Sequence, residues 1–254
     1  MLPALLPILR LEAYRLFMTK QGRFFMVAFI LIWCLLLRFV LMKAALWVDE
    51  YRINLNKQTS NYWVIYQYMS LALFPIFCII MGAGQTGSDR SRGTLRFMSL
   101  HTTRGAIFFG RFIAQVLIQW GFLLISFISA LLVFCITDSF TWHQLGQGLI
   151  FLANLSLCLL PFIALMSMLS AKVDSARKAS LLAFLIWFFA LAIVSLISHY
   201  FAFLAPIKLI VPGMQFDDLR QLTGFAQFKL VYIPVIQTLV FLTLGHFFMK
   251  RAAI

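Results

Sequence analysis

Residues able to do chemistry are few in this chain, and they are scattered. The stretch Gly82-Ala-Gly-Gln-Thr-Gly87-Ser88 has the glycine spacing of a phosphate-binding loop. Ser88 stands where such a loop needs the lysine that reaches the β- and γ-phosphates, and Asp89 follows it. The stretch is better read as the flexible end of an apolar segment. His101, His143, His199 and His246 lie far apart, with no HExxH and no local carboxylate pair, so neither a metal site nor a hydrolytic site takes shape. Cys34, Cys78, Cys135 and Cys158 all fall inside apolar runs and form no CxxC. Buried thiols of that kind behave as small hydrophobes. The chain offers no catalytic, metal-binding or cofactor-binding constellation of its own.

What remains is arginine. Ser88-Asp-Arg-Ser-Arg-Gly-Thr-Leu-Arg-Phe-Met-Ser-Leu-His-Thr-Thr-Arg104 is followed by Gly-Ala-Ile-Phe-Phe-Gly-Arg111. Ser88 or Ser91 is placed to cap a short helix through Leu95, Phe97, Met98 and Leu100. Leu95 and Met98 fall on one face of it, with Asp89, Arg92 and Arg96 around them. A short amphipathic helix suits insertion into a groove on a partner; on these residues alone, a plain interfacial loop on anionic lipid fits equally well. Asp89 has Arg92 or Arg111 as a candidate ion-pair partner. A second pattern follows. Arg111, Gln115 and Gln119 recur every four residues, and Ser126 continues the stripe along one helix face. Gln67 and Asn154 are further polar residues inside apolar runs. Such groups avoid lipid; they line a path or bond between helices.

The elements that must position these residues are set by composition. Of 254 residues, 63% are hydrophobic and 11% charged, with a mean hydropathy of +0.94. An ordinary soluble domain has roughly 25% charge. This chain cannot cover itself with polar groups in water, so an integral membrane protein is expected, in one domain spanning residues 1–254. Leu2 to Lys20 has a helical pattern with Leu5, Leu6, Leu9, Ala13, Leu16 and Phe17 on one face, which describes a basic amphipathic helix along a membrane surface. Six apolar runs of spanning length follow: 24–45, 62–81, 109–136, 145–169, 181–200 and 230–249. Tyr62, Tyr66 and Tyr68 fit an aromatic belt. Pro75, Pro161 and Pro234 are candidate kinks. Residues 201–229 are apolar but broken by Pro206, Pro212 and Gly213, which fits a re-entrant or interfacial excursion. Arg38, deep in the first run, is expected to face protein or a wet vestibule near Asp49 or Glu50.

The net charge of +13 is uneven along the chain. Lys and Arg collect before the first run, between the second and third, between the fourth and fifth, and after the last. Both termini and the Arg-rich loop are therefore expected on the cytoplasmic side of a cell (inner) membrane. This asymmetry accounts for the charge without nucleic acid.

Asp89-Arg90-x-Arg92-Gly93-Thr94-Leu95, then Arg104, then Gly110-Arg111, resembles the signature of ABC-2 type exporter permeases. The N-terminal helix, six spans and broken excursion before the last span are similar to that family too. The family often has Glu where Asp89 stands, and proline near His101-Thr102-Thr103. The resemblance implies a transport subunit without its own ATPase, paired as a homodimer or pseudo-symmetric heterodimer. ATP and magnesium would belong to a separate cytoplasmic ABC ATPase. The Gly93-Thr94-Leu95 segment would be the coupling helix on that ATPase, with Asp89, Arg90, Arg92, Arg96 and Arg104 at the contact. Gln67, Arg111, Gln115, Gln119 and Asn154 are the candidate path residues. Cargo would be a small amphipathic molecule, a lipid or a peptide. A membrane scaffold that recruits a cytoplasmic partner without moving cargo is the other reading.

Overall fold

A computed structural model of the chain describes residues 2–18, 20–35, 61–84, 86, 89, 93–136, 142–200, 207–216, 228–229 and 231–251. The described residues are all-helical. The helices are α1 (Leu2–Met18), α2 (Lys20–Leu35), α3 (Asn61–Gly82), α4 (Thr94–His101), α5 (Arg104–Ile136), α6 (Trp142–Lys172), α7 (Ala176–Tyr200) and α8 (Tyr232–Arg251). Among the described residues, four helices are long and apolar enough to cross a membrane: α5, α6, α7 and α8. The apolar runs expected at 109–136, 145–169, 181–200 and 230–249 fall largely on these helices. α3 is apolar from Tyr66 to Gly82, a shorter stretch. The first run is described only as far as Leu35, so Arg38, Lys43, Asp49 and Glu50 lie outside the described residues.

α6 is the central helix. It packs against α3, α5, α7 and α8, and its side is lined by buried Phe151, Leu155, Leu159, Phe162, Ile163 and Met166. α8 can lie close because Gly245 faces it: a Cβ there would stand 3.0 Å from the Met168 Cα and 2.6 Å from the Phe108 ring. α7 is mostly exposed along its apolar length, with Leu185, Phe188, Phe189 and Ile193 outward, as befits a surface facing lipid. Pro75 and Pro161 lie inside α3 and α6. Pro234 instead sits in the first turn of α8. A missing N–H costs nothing there, so this proline starts the helix rather than kinking it.

Residues 207–216 dip into the bundle rather than closing over its end. The Trp187 indole N–H, midway along α7, donates to the Pro212 carbonyl at 2.9 Å. Gln237 Nε2 of α8 donates to the Leu209 carbonyl at 2.6 Å. Phe216 stacks on Phe162 of α6, and Gly213 turns the chain with φ 94°. Asp217, Asp218, Arg220 and Gln221 lie outside the described residues.

Candidate functional site

At the opposite end from that dip, the chain between α3 and α5 makes the Arg-rich bend. Its helix, α4, is eight residues long, too short to persist without support. Ser88 and Ser91, the expected caps, lie outside the described residues. Gly93 is the N-cap, with φ 73° and no side-chain cap bond. A left-handed residue is needed to turn the chain into α4 there, and glycine takes that conformation without penalty. Thr94 Oγ1 donates to the Asp89 carbonyl at 3.1 Å. The Ala106 N–H donates to Thr103 Oγ1 at 3.3 Å, so Thr103 caps α5 and carries that helix back to Arg104, ahead of its apolar part.

The two faces of α4 differ. Leu95 is buried, packed with Ile107, Phe108, Ala171 and Met249, and Met98 lies half-buried beside them. Thr94, Phe97 and Leu100 point away from the protein; Phe97 is 71% and Leu100 77% exposed. The expected contact set is thus split. Leu95 and Asp89 turn inward, so their side chains are committed to contacts within this chain. Arg104 Nη1 donates to the Lys250 carbonyl at 3.0 Å and fastens the start of α5 to the end of α8. Arg90 and Arg92 lie outside the described residues, as does the Arg96 side chain.

Arg111 is 1% exposed. Of the two partners open to Asp89, it is the described one: Arg111 Nη2 donates to Asp89 Oδ2 in a buried ion pair. Arg111 Nη2 also lies 3.4 Å from Met98 Sδ. Arg111 Nε stands 3.9 Å from Glu12 Oε1 of α1. The preceding residue explains how α1 comes so near. A Cβ on Gly110 would meet Ile8 Cδ1 at 2.8 Å, so α1 seats directly on the α5 backbone. Glu12 follows Ile8 by one helical turn, which brings it over Arg111. One guanidinium thereby touches α1, the chain before α4, and α4 itself.

Further along α5 the polar stripe turns into the bundle. Gln115, Gln119 and Ser126 are buried, as are Asn154 of α6 and Ser70 of α3. Ser126 Oγ donates to the Leu123 carbonyl at 2.8 Å and lies 3.4 Å from the Tyr66 hydroxyl. Trp33 Nε1 donates to Ser129 Oγ at 3.0 Å. By contrast, among the described residues no protein group hydrogen-bonds either amide atom of Gln119, Gln115 Nε2 or Asn154 Nδ2. Arg111 does not join this interior group, since its charge is engaged at the bend. Gln67 is only partly buried. Tyr66 is 1% exposed, with its ring against Trp33, Phe127 and Phe151, so it is a core residue rather than part of an aromatic belt. Tyr68 is 47% exposed. The Tyr62 side chain lies outside the described residues.

Sequence reasoning did not single out Glu12, Met98, Trp187 or Gln215 as site residues. Gln215 is wholly buried, with Cys158 of α6 beside its side chain. Its one sequence signal was its place just after Pro212-Gly213. Among the described residues, no three His, Cys, Asp or Glu side chains gather as a metal site would require.

The family model described as ABC-2 family transporter protein matches residues 6–253, nearly the whole chain, from within α1 to beyond α8. No curated protein matches the chain.

Proposed function

The chain belongs to the ABC-2 family of transporters, and on that premise we propose that it is the permease subunit of an ATP-driven exporter. A separate cytoplasmic ATPase would bind and hydrolyse the nucleotide. This chain would supply the membrane route, as one of two permease copies with six spans each and both termini in the cytoplasm of the inner membrane.

One observation carries the docking part of this reading. α4 is anchored by Leu95 on one side and presents Phe97 and Leu100, three residues apart, on the other. Two large apolar side chains on one exposed turn fit a groove on a protein partner. Arg90, Arg92 and Arg96 of the same bend would supply a basic rim. We therefore assign docking to Thr94, Phe97 and Leu100 with those arginines, and give Asp89, Gly93, Leu95 and Arg104 the work of shaping the bend. Of the path candidates, we take Gln115, Gln119 and Asn154 as the residues that face the route. Interior amides with no partner among the described residues fit a wet or cargo-contacting interior better than direct bonding between helices. A small amphipathic molecule, a lipid or a peptide remains the proposed cargo.

The test is co-purification of the permease with its ATPase from native membranes. Phe97→Glu with Leu100→Glu should abolish recovery of the ATPase while leaving permease yield unchanged. Full recovery from the doubly charged variant would refute the assignment.

A further inference from the structure

The Gly110-Arg111 pair does more than open α5. We infer that Arg111 is the positioning residue of the bend, a buried latch that makes α1, α4 and the start of α5 move as one body. The inference rests on the docking reading only for the origin of the push; the latch itself rests on geometry.

An arginine at this position invites a bland explanation, a long side chain snorkelling to lipid headgroups. Its 1% exposure excludes that. The guanidinium instead faces Asp89 from the chain before α4, the Met98 sulfur from within α4, and Glu12 from α1. Those contacts come from two directions, Nη2 toward the bend and Nε toward α1. A planar fork serves both; the point charge of a lysine cannot. The site also needs all its charges. One cation between two carboxylates in a poorly hydrated setting is tolerable, whereas the carboxylates alone would repel at close range.

The latch acts where the chain would otherwise give. Gly93 enters α4 in a left-handed conformation, with nothing among the described residues within 4 Å of where a Cβ would stand, and a glycine backbone has little stiffness of its own. Leu95 plugs one point of α4 into the protein. Arg111 fixes a second, through Asp89 and Met98. Two fixed points turn a short helix into a lever arm; one would leave it a swivel. On the other side, Ile8 against Gly110 and Glu12 against Arg111 fix α1 to α5 by two points as well. A force on Phe97 and Leu100 is then delivered to α5, and with it to the Gln115–Gln119 face.

Hydrogen–deuterium exchange on the full-length permease, alone and with its ATPase, tests this. In Arg111→Gln, amides of α4 and of α1 near Glu12 should exchange about tenfold faster together, with α6 and α8 unchanged. Arg111→Lys should not restore them. Should Arg111→Gln fail to fold, the neutral triple variant Glu12→Gln, Asp89→Asn, Arg111→Met removes the latch without leaving a buried charge, and the same change is expected. With ATP and vanadate, the wild-type complex should alter protection in α4 and at the start of α5. Without Arg111 the alteration should stop at α4. An α5 response equal to wild type, or unaltered α1 and α4 exchange in both variants, would overturn the latch. Failure of the wild-type permease to recover any ATPase would overturn the docking reading instead, and the exchange of the permease alone would still decide the latch.

Discussion

Two of the irregular segments among the described residues are held by opposite kinds of force. The bend before α5 and the dip before α8 each turn on one glycine with positive φ, Gly93 at 73° and Gly213 at 94°. The bend is fastened by ions: Arg111 with Asp89, and Glu12 close by. The dip is fastened by neutral donors: Trp187 to the Pro212 carbonyl and Gln237 to the Leu209 carbonyl, with Phe162 packed beneath. The difference follows from where each lies. The bend joins two helices at their ends, and there a buried cation is compensated by the carboxylates beside it. The dip reaches the level of mid-α7, where a bare charge is far more expensive than a hydrogen-bonded amide. Ionic fastening gives the bend an orientation that depends on one side chain. Neutral fastening spreads the hold on the dip over several.

That contrast breaks in a definite order. Arg111→Ala should be the most damaging change, costing about 3–5 kcal/mol because Asp89 is left buried and uncompensated; thermal unfolding of the purified permease in detergent measures it. Removing one fastener of the dip should cost less. Gln237→Leu or Trp187→Phe leaves one carbonyl unsatisfied, about 1–3 kcal/mol each in the same assay, and the double variant should show the two adding nearly independently. The glycines come next. Gly93→Ala should cost about 1–2 kcal/mol, for the left-handed backbone alone, since nothing crowds that position. Gly213→Ala should cost more than Gly93→Ala, because a Cβ there also stands 3.2 Å from the Phe162 ring. Gly93→Asn should recover part of the loss, and Gly213→Asn should not. Smallest of all, Phe97→Ala and Leu100→Ala should each change stability by less than about 0.5 kcal/mol, as exposed residues do, while weakening ATPase recovery in pull-down.

Much of the helical layout was legible, for a simple reason. A bilayer demands long apolar helices, so hydropathy alone finds α5 to α8 to within a few residues. It finds where a helix is greasy, not where it ends. α5 begins at Arg104 rather than Phe109 because Thr103 caps it and the polar first turn is still helix. The same limit appears at α4. The helix was visible in its periodicity, but its outward face was not. Leu95 is inside because Ala171 and Met249 arrive from distant parts of the chain to meet it. Phe97 and Leu100, equally apolar, are outside because nothing among the described residues does. Asp89 had two arginines open to it in the sequence; the helical packing brings Arg111 to it, and Arg92 lies outside the described residues. Tyr66 was misjudged for a related reason. Its place near a helix end looked interfacial, yet Trp33 and Ser126 close over it. Glu12 gave no sign of its role, since only Gly110 lets α1 come near enough.

The division of α4 into a face kept inside and a face proposed to meet a partner can be read most directly by photo-crosslinking in intact cells. A photoreactive residue replacing Phe97 or Leu100 should yield a crosslinked product with the ATPase subunit, and one replacing Leu95 should give none. Crosslinks to the ATPase from Leu95 but not Phe97, or from none of the three, would contradict the account.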